Sequence, residues 1–423
     1  MVVKLDPRDF YVKPDIGEGT EGLPWLAFWD KDVLAHEFET IFRGSWLCVP
    51  KQLLREHNPA VRSIFARPEH GRSYSDIIKL RGNDVEFRIL GEKVMLMRGT
   101  TPKGMPLLRC FANACPHGGY PLREGSYDTS NEFRKICQQH GLTVDEYGNF
   151  IGHPAFPKPS EEQKKKLCLR LYPHREWFDF FFISRGEPAV SFEEVMRPVF
   201  DSIAHLPMEQ FKYKKLEKEQ RIVDGNWKLH AQNYNDWLHI RFIHKKPNGL
   251  ADAVDISSAR MELYKHASLM WAYAANPEDG FDPQYLPERF RDSDHPEKRV
   301  FALWWFIFPN LTLNFYPWGL SVNMYMPAMV NTDKMEFDPE KLEFLWYHYL
   351  WDEKKYHEGL EARWLNTVVD DEDIEAIRYV AESLRSHSHP WERGLFGPGD
   401  GPNTERGPHW LHRTIYEAMF PAA

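Results

Sequence analysis

Two short Cys/His pairs constrain this chain more than any other feature of its sequence. The first pair, Cys115 and His117, lies in Cys-x-His-Gly-Gly, and the second, Cys137 and His140, lies in Cys-x2-His-Gly. One such pair alone is also common in ordinary protein cores, but two pairs so close together indicate a shared ligand set. Each pair is followed by glycine, which lets the backbone turn tightly around the side chains.

Two thiolates and two imidazoles suit either a zinc ion or a Rieske [2Fe-2S] cluster, in which two histidines replace two cysteines on one iron. The residues around the pairs predict short β-strands. VEFRILGEKVMLMR alternates around Gly91 as a hairpin does. Further strand-like runs are LLRCFANAC, TVDEYGNFIG and WFDFFFISR. We therefore expect a small antiparallel β-sandwich with ligand loops at the ends of its strands.

A second group of potential ligands lies in NYNDWLHIRFIH, which contains Asp236, His239 and His244. Asp236 and His239 are three residues apart and would share one face of a helix. His239 and His244 are five apart, which separates them by about 140° on a regular helix. Both can bind one metal ion only if the helix ends or is distorted between them. The alternative is that both are core histidines beside tryptophans.

A facial triad of iron ligands adds a carboxylate to two histidines and leaves three positions open for dioxygen chemistry. VVDDEDIEAIRYVAESL, residues 368–384, predicts a helix with an inward-facing apolar stripe. The stripe consists of Ile374, Ile377, Val380, Ala381 and Leu384. Asp370 and Asp373 border it, whereas Asp371 lies on the solvent side. Either Asp370 or Asp373 could complete a triad, or these acids could serve only to stabilise the first turn of the helix.

Longer elements are predicted beyond residue 186. SFEEVMRPVFDSI, EKLEFLWYHYLWDEKKYHEGL and DDEDIEAIRYVAESLRS are predicted as helices. The runs FALWWFIF, LTLNFYP, LSVNMYMPAM and KMEFD predict consecutive antiparallel strands between residues 300 and 338. Aromatic residues of these strands are candidates for a pocket wall, although alternation places about half of them on the opposite face. They are Trp304, Trp305, Phe306, Phe315, Tyr316 and Trp318.

Composition restricts the possible partners. A net charge of -9 disfavours nucleic-acid binding, because phosphate requires a basic surface. The longest apolar runs, FDFFFI and ALWWFIFP, fall short of the roughly 20 residues of a membrane helix, and MVVKLDPRDF has no secretory hydrophobic region. The five cysteines, two of them in ligand-like spacing, are typical of a reducing compartment. We therefore expect a cytoplasmic protein with neither nucleic-acid nor membrane partners.

Together these motifs resemble the α subunit of Rieske non-haem iron oxygenases, the terminal oxygenases of the aromatic-ring-hydroxylating dioxygenase family. The motifs are Cys115-Pro116-His117, Cys137-Gln138-Gln139-His140, Asn226-Trp227-Lys228, Asn233, Asp236, His239 and His244. The resemblance implies an α+β fold with a small antiparallel β-sandwich Rieske domain over residues 44–185. It also implies a helix-grip catalytic domain with a central antiparallel sheet over 186–423, on which an N-terminal segment, 1–43, packs.

The resemblance also implies roles for individual residues. The implied ligands of the [2Fe-2S] cluster are Cys115, His117, Cys137 and His140, and those of a mononuclear Fe(II) are His239, His244 and Asp373. Asp236 would hydrogen-bond an iron-bound histidine and, across a subunit boundary, a cluster histidine of the neighbouring chain. Gln232 stands where the family usually has an acid.

On this basis we expect a terminal oxygenase that uses O2 to hydroxylate or dihydroxylate a small aromatic substrate. Its electrons would come from a ferredoxin or a flavin reductase, and it would form a homotrimer with or without a small β subunit. The first alternative is an oxidative demethylase or hydroxylase of an N-methyl or quaternary ammonium substrate, because an aromatic pocket can stack a flat ring or bind a cation. The others are a Rieske electron-transfer protein without oxygenase activity and a colourless zinc-ribbon binding protein.

The cluster loops depart from the family at three positions. Gly118, Gln139 and Leu142 stand where arginine, tyrosine and tryptophan are common. A hydrogen bond to a cluster sulfur stabilises the reduced state, so its loss lowers the reduction potential. We therefore expect a potential at or below the usual range of the family. Cys110 and Cys168 do not occupy the positions of the disulfide that respiratory Rieske proteins carry beside their cluster.

Overall fold

The computed structural model describes residues 5–52, 85–100, 106–122, 126–127, 133–217, 219–247, 249–331, 334–363, 367–386 and 391–421. The α-helices in these ranges are α1 Pro7–Phe10, α2 Lys31–Glu37, α3 Glu161–Lys166, α4 Phe192–Ser202, α5 Trp227–Tyr234, α6 Ile240–Ile243, α7 Leu250–Ala253, α8 Glu353–Arg363, α9 Thr367–Arg385 and α10 Arg406–Met419. None of the helices within these ranges has both the length and the apolar character needed to cross a membrane.

The strands are short in the first half of the chain and long in the second. They are β1 Thr20–Pro24, β2 Leu47–Pro50, β3 Val85–Ile89, β4 Glu92–Thr100, β5 Pro106–Ala112, β6 Ser126–Tyr127, β7 Phe133–Ile136, β8 Thr143–Val144, β9 Phe150–Gly152, β10 His174–Trp177, β11 Phe180–Ile183, β12 Lys212–Lys214, β13 Gln220–Asp224, β14 Arg260–Leu263, β15 Ala267–Tyr273, β16 Val300–Ile307, β17 Leu311–Tyr316, β18 Gly319–Asn331, β19 Glu336–Leu350 and β20 Arg393–Phe396.

Contacts within the chain divide it into two compact units. Residues Gly44–Pro188 form one, which we call the inner unit. Residues Met1–Arg43 and Ala189–Ala423 together form the other, which we call the outer unit. The inner unit is therefore an insertion between two segments of the outer one.

The inner unit consists of small antiparallel sheets. Its strand orders are β3-β4-β5, β10-β11-β2 and β6-β7-β8-β9. The predicted hairpin around Gly91 is confirmed: Leu90 and Gly91 connect β3 to β4 with φ angles of 46° and 85°. Positive φ at both turn residues matches the twist of the paired strands. The two Cys/His pairs lie in the loops that follow β5 and β7.

An antiparallel eight-stranded sheet dominates the outer unit. Its strand order is β12-β19-β18-β17-β16-β15-β14, and β13 also pairs with β19. The strands predicted between residues 300 and 338 are thereby confirmed. Helix α9 packs against α5 and β13. The α+β fold class, with small antiparallel sheets in one part and a large antiparallel sheet in the other, is confirmed.

One predicted helix is wrong in its first half. EKLEFLWYHYL lies in strand β19, and helix α8 begins only at Glu353. The residues from Phe344 to Leu350 are all buried, so the run shows no alternation that would mark it as a strand. Pairing with β18, from Gly319↔Leu350 to Pro327↔Leu342, decides its structure, and its aromatic side chains suit a strand.

Helix α9 confirms the predicted helix but not its whole apolar stripe. Ile377, Ala381 and Leu384 are buried, whereas Val380 is 46% exposed. The prediction is therefore wrong for Val380. The three buried residues stand at i, i+4 and i+7, so the helix buries one narrow stripe and turns Val380 towards solvent.

A buried ion pair connects the N-terminal segment to the rest of the outer unit. Glu37 of α2 accepts hydrogen bonds from Lys228 Nζ at 2.6 Å and from Trp227 Nε1 at 2.8 Å. The side chains of Glu37 and Lys228 are both fully buried. The Asn-Trp-Lys motif, which supported only the family resemblance, therefore also joins α5 to the N-terminal helix.

Candidate metal centres

The two Cys/His loops of the inner unit bring their sulfurs and their imidazoles together. Cys115 and Cys137 are buried, whereas His117 and His140 are exposed. The two imidazole centroids are 4.9 Å apart, with ring planes at 86°. Burial is the largest cause that raises the pKa of the Cys115 thiol, and a hydrogen bond with Cys137 adds to it. The predicted ligands thus form one group with sulfur inside and nitrogen at the surface.

Backbone hydrogen bonds determine the shape of both loops. The carbonyl of Cys115 accepts from the amides of Gly118 at 3.2 Å and Gly119 at 2.7 Å, and that of Cys137 accepts from Gly141 at 2.9 Å. Gly119 and Gly141 have φ angles of 76° and 75°. Side chains rarely tolerate this left-handed conformation, so glycine is needed at both positions, as the sequence predicted.

This arrangement fits a Rieske cluster. The two buried sulfurs would bind one iron of such a cluster, and the two exposed imidazoles would bind the other. The cysteines belong to a buried apolar group that includes Phe111, Leu142 and Val144. Such a shell limits the access of solvent to the cluster sulfurs.

His153 is a neighbour of the cluster loops that no sequence motif marks. Its ring centroid lies 4.4 Å from that of His117, and its Nδ1 accepts from the amide of Ala155 at 3.0 Å. Burial, followed by the charges of His117 and His140, lowers the pKa of His153. The packed ring restricts the rotation of His117. A lone histidine in GHPAF carries no spacing signal that would have revealed this.

Gln139 offers a test of the expected low reduction potential. A Cβ placed on Gly118 would lie 3.6 Å from Gln139 Oε1, so this side chain reaches across to the first loop. We expect Gln139→Tyr to raise the potential, because a phenol can donate to a cluster sulfur and stabilise the reduced state. Redox titration followed by electron paramagnetic resonance (EPR) measures the shift. Gln138→Tyr, at the exposed neighbouring position, is the control, and equal potentials in both variants would contradict the prediction.

The second ligand group converges in the outer unit. His239 Nε2 and His244 Nε2 are 3.2 Å apart, and Asp373 Oδ1 lies 3.0 Å from His244 Nε2 and 3.5 Å from His239 Nε2. Bonds of about 2.1 Å to one metal ion at right angles place ligand atoms about 3.0 Å apart. Asp373 Oδ1 is buried and receives no hydrogen bond from the described residues. These three side chains therefore fit one face of an octahedral iron site.

The helix is limited to the residues between His239 and His244, as their five-residue spacing requires if both bind one ion. Helix α6 contains only Ile240–Ile243, so His239 precedes it and His244 follows it. His244 has φ -93° and ψ 37°, outside the helical range. The expectation that the helix must end between the histidines if both bind one ion is thereby confirmed.

The acids at the start of α9 have different surroundings. Asp373 joins the two histidines, whereas Asp370 lines the adjacent cavity. Asp371 is exposed and forms a salt bridge with Arg221 at 2.5 Å, as expected for the solvent side. The geometry favours Asp373 over Asp370 as the third ligand.

Glu372 is a further carboxylate at this site, and the sequence does not distinguish it from its acidic neighbours. Its Oε2 accepts a hydrogen bond from His244 Nδ1 at 2.8 Å, and its Oε1 lies 2.7 Å from Lys246 Nζ. A carboxylate on Nδ1 selects the tautomer in which Nε2 carries no proton and can bind a metal. Glu372 therefore orients His244.

Removing this carboxylate is expected to weaken the iron site without emptying it. Glu372→Ala should lower the affinity for Fe(II) about 10- to 100-fold, because His244 loses its orienting partner. Iron retained by the protein during titration with a chelator measures the change. Glu375→Ala, an exposed acid of the same helix, is the control. Equal retention in both variants would show that other contacts orient His244.

Asp236 lies in the turn between α5 and α6. The expectation that it shares a helix face with His239 is wrong, because α5 ends at Tyr234. The turn still brings them together: Asp236 accepts from the amide of Leu238 at 2.7 Å, and its Oδ2 lies 3.6 Å from His239 Nδ1. Burial alone would lower the pKa of His239, but the Asp236 and Asp373 carboxylates raise it to about 10. The role of Asp236 between subunits stays a prediction.

A cavity of about 80 Å³ adjoins His239, His244 and Asp373, which form part of its lining. Of the six candidate wall residues, Trp304 and Tyr316 line it. Trp305 lies in the same strand with the opposite orientation and donates to Ser202 Oγ at 3.0 Å. The expected alternation is thus confirmed. Other residues of the lining are Tyr234, Leu250, Met270, Asn314, Asn323 and Tyr325.

Comparison with known families assigns both units. Residues 204–419 match the model of the ring hydroxylating alpha subunit (catalytic domain), and residues 73–173 match that of the Rieske [2Fe-2S] domain. The first match lies in the outer unit with His239, His244 and Asp373, and the second lies in the inner unit with the two Cys/His pairs.

Individual proteins resemble the chain at low identity. The oxygenase subunit of carnitine monooxygenase from Acinetobacter baumannii is 25% identical over 391 residues, which are 90% of each chain. The toluate 1,2-dioxygenase subunit alpha of Pseudomonas putida is 24% identical over 256 residues, 58% of this chain and 49% of the relative. A quaternary ammonium Rieske monooxygenase, whose structure concerns carnitine oxidation by gut microbiota and inter-subunit electron transfer, has the same fold, with a TM-score of 0.64 and 19% identity over 99% of this chain and 100% of that one.

Proposed function

This chain belongs to the family of ring-hydroxylating α subunits of Rieske non-haem iron oxygenases, and we propose that its substrate is a small quaternary ammonium compound. As a family member it is an oxidoreductase with a Rieske [2Fe-2S] domain and a catalytic domain that binds mononuclear iron. This membership is incompatible with the zinc-ribbon alternative. It also disfavours a pure electron-transfer protein, since such a protein would need no second metal site.

The lining of the cavity carries the substrate proposal. Two aromatic rings, Trp304 and Tyr316, and the carboxyl group of Asp370 border one space. Aromatic faces attract a quaternary ammonium group, and a carboxylate complements its charge. The relative that matches 90% of the chain is a carnitine monooxygenase subunit. Both observations favour the alternative that the sequence left open over the aromatic substrate that it favoured.

A small aromatic substrate is the second candidate. The apolar part of the lining, with Ile240, Leu250 and Met270, could hold a flat ring. A toluate dioxygenase subunit is among the relatives, although it matches only 58% of the chain. For such a substrate the carboxyl group of Asp370 would have no partner.

We propose that the predicted residues hold the two metal groups. The cluster ligands are Cys115, His117, Cys137 and His140, and the iron ligands are His239, His244 and Asp373. When bound, a triad-held iron offers open positions for dioxygen, and a Rieske cluster supplies electrons one at a time. Glu372 orients His244 from its far nitrogen.

Partners and assembly follow from the same family membership. We propose that reduced ferredoxin or a flavin reductase supplies the electrons, and that the protein is a cytoplasmic homotrimer. Asp236 would then link an iron ligand to a cluster histidine of the neighbouring subunit. Its position beside His239, at 3.6 Å, supports this role. The structurally similar quaternary ammonium monooxygenase is described with inter-subunit electron transfer.

The first experiment measures iron and acid-labile sulfide per chain on anaerobically purified protein, with an EPR spectrum after reduction. We expect two sulfides, about three irons and a Rieske-type signal, by the two-plus-one count of the ligand sets. Oxygen consumption with quaternary ammonium compounds, compared with benzoate and toluate, then tests the substrate. Two irons per chain would support the electron-transfer alternative. Oxygen consumption with benzoate or toluate but not with quaternary ammonium compounds would favour the aromatic substrate.

A further inference from the structure

Several polar side chains line the cavity of the outer unit in addition to the ligand group, and two of them are suited to contact a substrate. One is the carboxyl group of Asp370, and the other is the side-chain amide of Asn323. Both residues line the cavity, and neither belongs to the group formed by His239, His244 and Asp373. Their chemistry therefore bears on the substrate.

Asp370 is an acid without a partner. It lies one helical turn before Asp373 on α9, and no other described residue forms a hydrogen bond or salt bridge with its carboxyl group. Arg221, whose charge reaches it, pairs with Asp371 instead. Burial, and then the charge of Asp373, raise the pKa of Asp370. A cation bound beside the carboxyl group would favour its ionised form, so this position suits a positively charged ligand.

Aromatic rings surround the same part of the cavity. Tyr316 and Tyr325 line the cavity together with Asp370. Burial is the largest cause that raises the pKa of both hydroxyls, and the charge of Asp370 raises the pKa of each further. Trp304 meets Tyr316 at 84°, and its Nε1 donates to the Tyr316 hydroxyl at 3.0 Å. Two rings at right angles form a corner in which a quaternary ammonium group can contact one face of each ring.

Asn323 presents a hydrogen-bond donor. Its side chain is 3% exposed, and its Oδ1 accepts from Asn314 Nδ2 at 2.8 Å and from Thr312 Oγ1 at 3.0 Å. Asn314 Oδ1 in turn accepts from the Tyr234 hydroxyl at 2.5 Å, which sets the orientation of both amides. Asn323 Nδ2 is left buried without an acceptor among the described residues. A buried donor without an acceptor is costly, so a ligand oxygen would stabilise it.

We propose that the cavity binds a quaternary ammonium compound that carries a neutral oxygen, such as a hydroxyl group, and discriminates against one that carries a carboxylate. Asp370 and the corner formed by Trp304 and Tyr316 hold the ammonium group, and Asn323 donates to the oxygen. A carboxylate would lose its hydration in the same cavity as Asp370, where like charges repel. This inference rests on the proposed quaternary ammonium substrate and adds the nature of its second functional group.

Four ligands that differ in one group each test the inference. Calorimetric titration under anaerobic conditions measures their binding to the protein with both metal groups loaded. Choline has both features, ethyltrimethylammonium lacks the oxygen, glycine betaine carries a carboxylate, and 3,3-dimethylbutan-1-ol lacks the charge. We expect choline to bind about three- to tenfold more tightly than ethyltrimethylammonium. It should bind about tenfold or more tightly than each of the other two.

Two variants assign the roles. Asp370→Asn should lower the affinity for choline about tenfold or more and leave that for 3,3-dimethylbutan-1-ol unchanged. Asn323→Leu should abolish the preference for choline over ethyltrimethylammonium. Asp371→Asn, an exposed acid next to Asp370, is the control and should bind choline as the unmodified protein does. Iron and sulfide contents show whether both metal sites are intact in each variant.

The outcomes separate this inference from the proposed function. If glycine betaine binds as tightly as choline, or Asp370→Asn binds choline unchanged, the inference is wrong and the quaternary ammonium substrate stands. If no trimethylammonium compound binds while benzoate does, the proposed function is wrong as well. Should a variant lose its iron, the comparison of the four ligands on the unmodified protein decides alone.

Discussion

Replacing His239 by alanine is expected to remove the mononuclear iron and reduce turnover by about three orders of magnitude or more, while the cluster remains. The three ligand atoms lie within 3.5 Å of one another, and the substitution removes one of them. The iron content should fall from about three to two per chain, by the two-plus-one count of the ligand sets. The EPR signal of the reduced cluster should be unchanged, because its ligands lie in the other unit.

His230 provides the matched control for this experiment. It is a buried histidine of α5 whose Nε2 lies 3.1 Å from the carbonyl of Asp224, and it is not part of the ligand group. Burial lowers its pKa to about 4, so it is neutral at the pH of the assay. His230→Gln should retain iron. If His239→Ala retained three irons per chain and full turnover, the proposed iron site would be wrong. Both histidines would then be ordinary core residues.

Removing the carboxylate of Glu37 is expected to destabilise the outer unit by about 3–5 kcal/mol, because Lys228 would be left buried and unpaired. Trp227 would lose its acceptor as well. The free energy of unfolding of Glu37→Ala, from urea denaturation followed by tryptophan fluorescence, measures this. The visible absorption of the cluster reports the inner unit in the same titration, and its transition should move less.

Glu39 offers a control in the adjacent turn. It forms an exposed salt bridge with Arg43, and such pairs contribute about 0–1 kcal/mol. Glu39→Ala should therefore leave the urea midpoint nearly unchanged. The double variant Glu37→Met with Lys228→Met should recover most of the lost stability, because apolar side chains can replace a buried ion pair. Equal midpoints for the two alanine variants would show that the buried pair contributes little.

The convergence of the candidate metal ligands was predictable from the sequence, because metal chemistry restricts the spacing of such residues. Cys115 and Cys137 are each followed four residues later by a glycine, Gly119 or Gly141, whose left-handed backbone angles other residues rarely adopt. The five-residue spacing of His239 and His244 predicted a helix break, and α6 supplies it. Helix periodicity alone left Asp370 as an alternative to Asp373, because both border the same stripe of α9, and the family resemblance favoured Asp373. The contacts of Asp373 with His239 and His244 distinguish it from Asp370 in the structure.

What was not predictable depends on contacts between distant segments. Glu372 is one acid among several in sequence, and only its contact with His244 gives it a role. His153 gains its importance from packing against His117. The run from Phe344 to Leu350 is buried throughout and shows no alternation, so pairing with β18 decides that it is a strand. The exposure of Val380 was not predictable either, because helix periodicity does not reveal how wide the buried stripe of α9 is.

The division of the outer unit into two chain segments has a consequence for synthesis on the ribosome. Glu37 and Lys228 are 191 residues apart. At a translation rate of about 5–20 residues per second, Lys228 is therefore synthesised about 10–40 s after Glu37. The inner unit is complete in the nascent chain before Lys228 is made. Its cysteines and histidines can therefore receive a cluster before the large sheet is translated. The inner unit would then already contain its cluster when the second segment of the outer unit packs against the N-terminal helix.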